Sequence, residues 1–225
     1  ATVENGQLVD IRIERVQKIG LVGTIFQGTV RRVLPGMEAA FVDIGLEKAA
    51  FLHVSDLVDA RTVDEHGERV VQPIARLLKE GQTLAVQVVK DPLGTKGARV
   101  SSNLNAPSRY LVMMPNEGGI GISTRIDDEG ERERLRTLVE ELRGEGRAGY
   151  IVRTAADGAS QDALAEDMAY LAKVWQGIEA RRGSAASGGV IFRDLPLVQR
   201  LLRDSRDEDL ERIRIDSRES FAECR

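Results

Sequence analysis

The chain has 225 residues, of which 42% are hydrophobic and 30% charged, enough for one large domain or two to three small ones with apolar cores of their own. Its longest apolar runs fall far short of a bilayer-spanning length, and the N-terminus lacks the basic-then-apolar layout of a signal peptide. The net charge of −4 argues against indiscriminate nucleic-acid binding, which usually goes with a basic total, but leaves room for a local basic patch. One cysteine, Cys224, excludes an internal disulfide and fits a reducing cytoplasm; with two scattered histidines it makes no zinc site. Aromatic residues are only 4% of the chain, so the cores are expected to be aliphatic.

Residues 8–13, LVDIRI, set Val9, Ile11 and Ile13 against Leu8, Asp10 and Arg12, the two-residue period of a half-buried strand. From Gly20 to about Asn103 the pattern is short strands broken by glycine or proline: VGTIFQGTVRRV, EAAFVDIG, KAAFLHVS, TLAVQVVK and GARVSS. Five such runs predict a small antiparallel barrel, with Gly28 at a corner where the strand bends or the backbone is closely approached.

Within GMEAAFVDIGLEKAAFLHVSDL (36–57), Phe41 and Phe51 each follow an Ala-Ala pair. A turn centred on Leu46 pairs the two rings directly across the hairpin, whereas a slip of one residue sends them to opposite faces. On a shared outer face they are platforms for stacked bases; the alternative is cross-strand packing in the core. His53 falls on the face of Phe51 by strand alternation, either to stack or bond a phosphate or as a plain surface histidine. Lys96 and Arg99 lie in LGTKGAR, where glycines let a ligand approach the backbone. They are candidates for neutralising phosphates, with solubilising surface charge as the alternative.

Past Ser108 the pattern changes. RYLVMMP reads as a strand, and GGIGISTRI as a glycine-rich turn into another. EGERERLRTLVEELR places Leu135, Leu138, Val139 and Leu142 on one helical face, with Asp127 and Asp128 as candidate caps. GYIVRT (149–154) is a strand, followed by a helix with Leu164, Met168, Leu171, Trp175 and Ile178 along one side. This is an α+β module distinct from the barrel. In IVRTAADGAS (151–160), Arg153 can grip a phosphate bidentately and Thr154 adds a hydroxyl donor beside a helix start. A surface arginine next to a capping turn is the alternative. RRGSAASGG (181–189) reads as a flexible small-residue linker. VIF, a helix around LPLVQRLLRD, a short strand RIRID and a helical start follow, too little to hold a core alone. The start at Ala1 without Met and the helical ending are expected of a piece of a longer protein.

GTIFQGTVRRVLPGMEAAFVDIG, AAFLHVSDL and GQTLAVQVVKDPLGTKGARVSS resemble an S1 RNA-binding domain, an OB-type barrel. Taken with VVKDPLGTKGAR, YIVRTAADG and ERIRIDSR, nearly the whole chain resembles the N-terminal half of the ribonuclease E/G family, nearer its ribonuclease G branch. The resemblance implies an α+β architecture of several subdomains. Residues 1–19 and 190–225 would be two parts of an incomplete RNase H-like subdomain, 20–103 the S1 barrel, and 104–189 a 5′-sensor.

The resemblance further implies that Phe41, Phe51, His53, Lys96 and Arg99 contact RNA. Arg153 and Thr154 match the pair that recognises a 5′-monophosphate, with the backbone around Val112 and the Arg125 side chain as additions. It implies single-stranded RNA with a 5′-monophosphate as partner, a homo-oligomeric full-length enzyme in the cytoplasm, and magnesium as its cofactor. The family's catalytic carboxylates lie in motifs of the types D-I-N and D-F-I-D-M; neither occurs here, nor does its cysteine pair for an interprotomer zinc. The chain is therefore expected to bind RNA without cutting it. A free-standing, non-catalytic S1-type adaptor, or a scaffold role for the barrel, are the alternatives.

Overall fold

The computed structural model describes residues 1–13, 20–63, 69–204 and 211–224, so parts of both terminal segments assigned from sequence lie outside the described residues. A hairpin of β1 (Thr2–Glu4) and β2 (Gln7–Asp10) opens the chain. Beyond it the period-2 pattern does not mark a half-buried strand. The ladder ends at Asp10, and Val9, Ile11 and Ile13 are all exposed, since a lone two-stranded hairpin has no second layer to bury them.

The barrel follows. β3 (Ile25–Leu34), β4 (Ala39–Asp43) and β5 (Ala50–His53) form a meander, then a side hairpin, β6 (Arg61–Val63) and β7 (Arg69–Val71), and the single turn α1 (Ile74–Leu77). β8 (Thr83–Lys90) and β9 (Arg99–Ser101) complete the set. The strand order is β3-β4-β5-β9-β8, and the β3–β8 pairing closes the ring. The barrel is mixed rather than antiparallel as the sequence suggests: β5 and β9 run parallel, with Phe51 opposite Arg99. That pairing joins strands separated by the β6–β7 excursion, so no hairpin forces it to be antiparallel. Val30, Val42, Ile44, Leu52, Val86, Val88 and Val100 fill the interior. Gly28 stands where β3 passes from one neighbour to the next, and a Cβ there would lie 2.5 Å from the Val42 side chain.

A second sheet has the order β10-β11-β13-β12, from β10 (Ala106–Pro107), β11 (Leu111–Met114), β12 (Ile120–Ile122) and β13 (Gly149–Val152). Its inner face packs on α2 (Glu129–Arg143) and α3 (Gln161–Arg182) through Leu111, Met113, Tyr150, Val152, Leu135, Val139, Leu164, Met168 and Leu171. Asp128 caps α2, its side chain accepting the Glu131 N–H at 2.6 Å. α3 is capped by Ser160 and begins only at Gln161, seven residues beyond Thr154, which itself opens a 3-10 turn, Thr154–Ala156. The helix N-terminus expected beside Thr154 is therefore not there.

The RRGSAASGG segment is not a flexible linker. Gly188 N–H donates to Gln27 O at 2.7 Å, Gln27 N–H to Gly189 O at 2.9 Å, and the Thr29 and Ser187 hydroxyls share a hydrogen at 2.6 Å. It leads into β14 (Val190–Phe192), which lies along the N-terminal half of β3. The small residues allow close backbone packing: a Cβ on Gly188 would come within 2.8 Å of Gly45 Cα, and Gly188 has φ +79. Ile191, Ile25, Ala85, Leu104 and Ile178 then form a third buried cluster that joins the barrel to α3.

α4 (Leu197–Asp204) and α5 (Arg218–Glu223) end the chain. Residues 211–217, including RIRID, form no strand, and Ile213 is exposed; an isolated extended run has no ladder partner for its backbone groups. Arg12 and Ile13 share a recess with Leu197, Val198 and Cys224. Gly188→Ala combines a left-handed backbone with a backbone clash, so it is expected to destabilise the fold by roughly 2 kcal/mol. Gly183→Ala, in open space, should change little. Thermal unfolding of the two variants checks this, and a flexible linker would make them equal.

Candidate nucleic-acid interface

Two surfaces gather the residues that carry polar and stacking chemistry. The first crosses the outside of the barrel. Phe41 and Phe51 are direct cross-strand partners, with ring centroids 6.2 Å apart and planes at 67°. Their neighbours Ala40, Val42, Ala50 and Leu52 point inward and are buried, so both rings lie outside; Phe41 is 37% exposed and Phe51 partly so. The row extends in both directions, because Arg32 of β3 sits opposite Phe41, Arg99 of β9 opposite Phe51, and Lys90 of β8 opposite Arg99. The sheet thus carries one continuous line: Arg32, Phe41, Phe51, Arg99, Lys90.

Strand alternation alone does not find Arg32 and Lys90. In β3 the register shifts between Val30 and Arg32, and in β8 between Val88 and Lys90. Each shift is a bulge that turns the next side chain onto the outer face. The only trace in the sequence is a break in apolar alternation at TVRR and at QVVK. The bulge also lets Arg31 bind Asp43 at 2.7 Å, and this guanidinium, with the Gly45 N–H, holds the Asp43 carboxyl below its usual range.

Arg99 is fixed by Asp56, with Nε at 2.9 Å and the terminal nitrogen at 2.8 Å from one carboxylate oxygen. His53 lies on the same outer side, and its Nδ1 accepts the Ser55 N–H at 3.2 Å. That bond leaves Nε2 as the protonated atom of the neutral ring. Lys96 is exposed in the β8–β9 turn, where it pairs through its backbone with Leu93. Gly97 brings this turn against the β4–β5 hairpin, since a Cβ there would lie 2.0 Å from Ala49 O. Lys48 closes the same contact by donating to Gly94 O at 2.7 Å.

The second surface is on the other sheet. Its outer face carries a row of Pro107, Val112, Ile151 and Gly121, paired across four strands. Ile151 is 39% exposed, so the row forms an apolar strip. Arg153 follows two residues on and borders a recess of about 490 Å³ lined by Val112, Pro107, Arg12, Arg200, Arg203, Asp194 and Asp204. The recess brings Val112 and Arg153 together. Thr154 and Arg125 meet elsewhere, around Ser123: its hydroxyl lies 3.0 Å from the Thr154 hydroxyl and accepts the Arg125 N–H at 3.3 Å.

The Arg153 guanidinium is held on two sides. One terminal nitrogen donates to Ser108 O and, at 3.2 Å, to Arg109 O. Both terminal nitrogens donate to Asp204, at 2.9 and 3.0 Å, one to each carboxylate oxygen. The 108–111 turn is itself tied to α3, because one Asp167 oxygen accepts the Ser108 hydroxyl at 2.5 Å and the Tyr110 and Leu111 N–H groups at 3.0 Å. Asp204 also accepts Arg203 Nε at 3.0 Å, and Arg203 reaches Asp194 at 2.9 Å. Burial pushes the Asp204 carboxyl upward, but the bonds from Arg153 and Arg203 outweigh it, so its pKa lies below the ordinary value of 3.8. Sequence reasoning missed Asp204, Arg203, Asp167 and Ser123; each acts through a partner dozens of residues away or on another element.

Among the described residues no group of three or more His, Cys, Asp or Glu side chains could hold a metal ion. No helix among them is long and apolar enough to cross a membrane.

The fold is therefore that of an α+β protein with a five-stranded OB-like barrel, which carries paired outward rings and flanking cations, and a second sheet with a recess rich in arginine. Residues 106–225 match the family described as Ribonuclease E/G family. Ribonuclease G of Salmonella typhimurium (strain SL1344) is 49% identical over 224 residues, 98% of this chain and 46% of that protein. Ribonuclease G of Haemophilus influenzae is 47% identical over 228 residues, covering all of this chain and 46% of its own length. Ribonuclease E of Nostoc sp. (strain PCC 7120) is 41% identical over 197 residues, 87% of this chain and 28% of that one. The chain belongs to the ribonuclease E/G family. It spans about half the length of the ribonuclease G relatives it matches.

The depressed Asp204 pKa fixes the sign of a pH effect. A carboxyl titrating lower in the folded chain than in the unfolded one adds stability above about 3.8, and that stability is lost as pH falls through the folded value. In urea unfolding, the stability gap between wild type and Asp204→Asn should be full near neutrality and shrink as pH is lowered below the ordinary carboxyl range. A pH-independent gap would contradict the pairing.

Proposed function

We propose that this chain is the RNA-binding and 5′-end-sensing part of a ribonuclease E/G-type endoribonuclease. The observation that carries the reading is the row Arg32, Phe41, Phe51, Arg99 and Lys90 across the outer barrel face. Two rings between cations offer stacking for bases and charge for the flanking phosphates, the combination that holds single strands without reading their sequence. His53 and Lys96 extend this surface.

The second sheet supplies the 5′-end pocket. Arg153 can grip a terminal monophosphate bidentately, and the Val112–Ile151 strip beside it offers an apolar seat for the first base. Thr154 and Arg125 lie apart from the recess lining, around Ser123, as further donors to the RNA end. A terminal triphosphate is disfavoured by bulk and by charge left unpaired. Catalysis belongs to the whole enzyme: hydrolysis of single-stranded RNA during RNA decay and ribosomal RNA maturation, by magnesium-activated water held on carboxylates outside this chain. That enzyme is a cytoplasmic homo-oligomer, and this chain alone binds without cutting.

Fluorescence anisotropy with a short unstructured RNA tests the barrel face. Because stacking contributes roughly 1–3 kcal/mol per base, Phe51→Ala should weaken binding about tenfold or more. Affinity should fall steeply as salt is raised, in line with release of counterions from the phosphates. Affinity that ignores both changes would remove the barrel row from the binding surface. The 5′-end pocket has a separate readout: 5′-monophosphorylated RNA should bind more tightly than hydroxyl-ended RNA, and Arg153→Ala should erase the difference.

A further inference from the structure

The recess beside Arg153 already contains an anion. Asp204, the last residue of α4, presents both carboxylate oxygens to both terminal nitrogens of Arg153, at 2.9 and 3.0 Å. This is the fork-to-fork arrangement that a phosphate would take from the same guanidinium. We propose that Asp204 is the resident occupant of the Arg153 fork, and that a terminal phosphate binds by displacing it, so that phosphate capture and release of α4 from the turn after β13 are one exchange.

Three features suit the two partners to such an exchange. The guanidinium does not depend on Asp204 for its position. Ser108 O and Arg109 O hold one of its nitrogens, and Asp167 of α3 pins the turn that carries those carbonyls. A departing carboxylate therefore leaves an arginine already oriented for the incoming anion. Asp204 in turn keeps a cation when it leaves, because Arg203, its neighbour on α4, binds it at 3.0 Å and stays anchored to Asp194 at 2.9 Å. Finally, α4 has no fully buried residue along its length, and elements with few buried side chains open at low free-energy cost.

Charge sets the direction of the exchange. A monophosphate carries more negative charge and more acceptor oxygens than a carboxylate, and Arg12, Arg153, Arg200 and Arg203 all line the recess. A hydroxyl end brings no charge and leaves Asp204 in place. The internal carboxylate thus lowers the absolute affinity of the recess but raises the threshold a ligand must pass. It also couples arrival of the phosphate to release of α4.

The inference rests on the 5′-phosphate reading of the recess, and the test separates the two. Binding of a 5′-monophosphorylated RNA and of the same RNA with a 5′-hydroxyl is measured for the wild type, Asp204→Asn and Arg153→Ala. Removing the resident charge should tighten the phosphorylated RNA about fivefold or more, in the usual range of coupling between sites, with hydroxyl-ended RNA unchanged. In the wild type, amide hydrogen exchange in 197–204 should speed up on adding the phosphorylated RNA and not the hydroxyl-ended one; this measurement stands even if Asp204→Asn misfolds. If Asp204→Asn binds the phosphorylated RNA no better, or exchange in α4 is unchanged or slowed, while Arg153→Ala still loses the preference, the displacement is wrong and the sensor reading survives. If the wild type and Asp204→Asn bind both RNAs alike, the sensor reading fails and takes the displacement with it.

Discussion

Everything in this molecule is hung on one strand. β3 pairs with β8 and β14 along its first half and with β4 along its second, so it closes the barrel and also docks the segment returning from the second sheet. A strand can serve three neighbours only by bending, and the bend falls at Gly28, where a side chain would run into Val42 and Val86. The same strand carries the bulge at Arg31 that brings Arg32 opposite Phe41. Closure, docking and one end of the cationic row therefore follow from a single ten-residue segment.

The relation between the barrel and the second sheet rests on a polar contact inside an apolar seam. Gln87 of β8 is almost fully buried. Its amide nitrogen donates to Gly23 O at 2.9 Å and Asn105 O at 3.0 Å, while its oxygen accepts Asn105 N–H at 2.9 Å. A buried amide with its donors and acceptor satisfied specifies one geometry, because any shift leaves polar atoms unpaired. Around it, Ile25, Ala85, Leu104, Ile178 and Ile191 supply the area. The two surfaces described above are consequently presented by a single body.

What could be read from the sequence was local. The Phe41–Phe51 pairing follows from hairpin register alone, and the α2 and α3 faces follow from helical spacing with Asp128 in its expected capping role. Contacts that skip along the chain were not legible. Arg32 and Lys90 enter the row through bulges, which insert a residue without changing composition. The parallel β5–β9 pair depends on how a long excursion returns. Residues 181–189 mislead for another reason: small residues suit both a flexible tether and a close backbone contact, and only the neighbouring Gly45 decides between them. Asp204 meets Arg153 across 51 positions, beyond any periodicity.

On the proposed reading, the two surfaces divide the work of recognition by the kind of freedom each leaves its ligand. On the barrel, the rings and the Arg32 and Lys90 side chains lie open at the surface, an arrangement that tolerates any base and many strand positions. In the recess, Arg153 is clamped by backbone carbonyls and faces a carboxylate of matching shape, an arrangement that accepts little besides a compact anion. A net charge of −4 is compatible with local cationic clusters, here Arg32, Arg99 and Lys90 on the barrel and Arg12, Arg153, Arg200 and Arg203 around the recess. Strength of binding then comes from the open row and discrimination between RNA ends from the recess. Substitutions on the barrel should therefore weaken all single strands alike, and those around Arg153 should act only on the difference between ends.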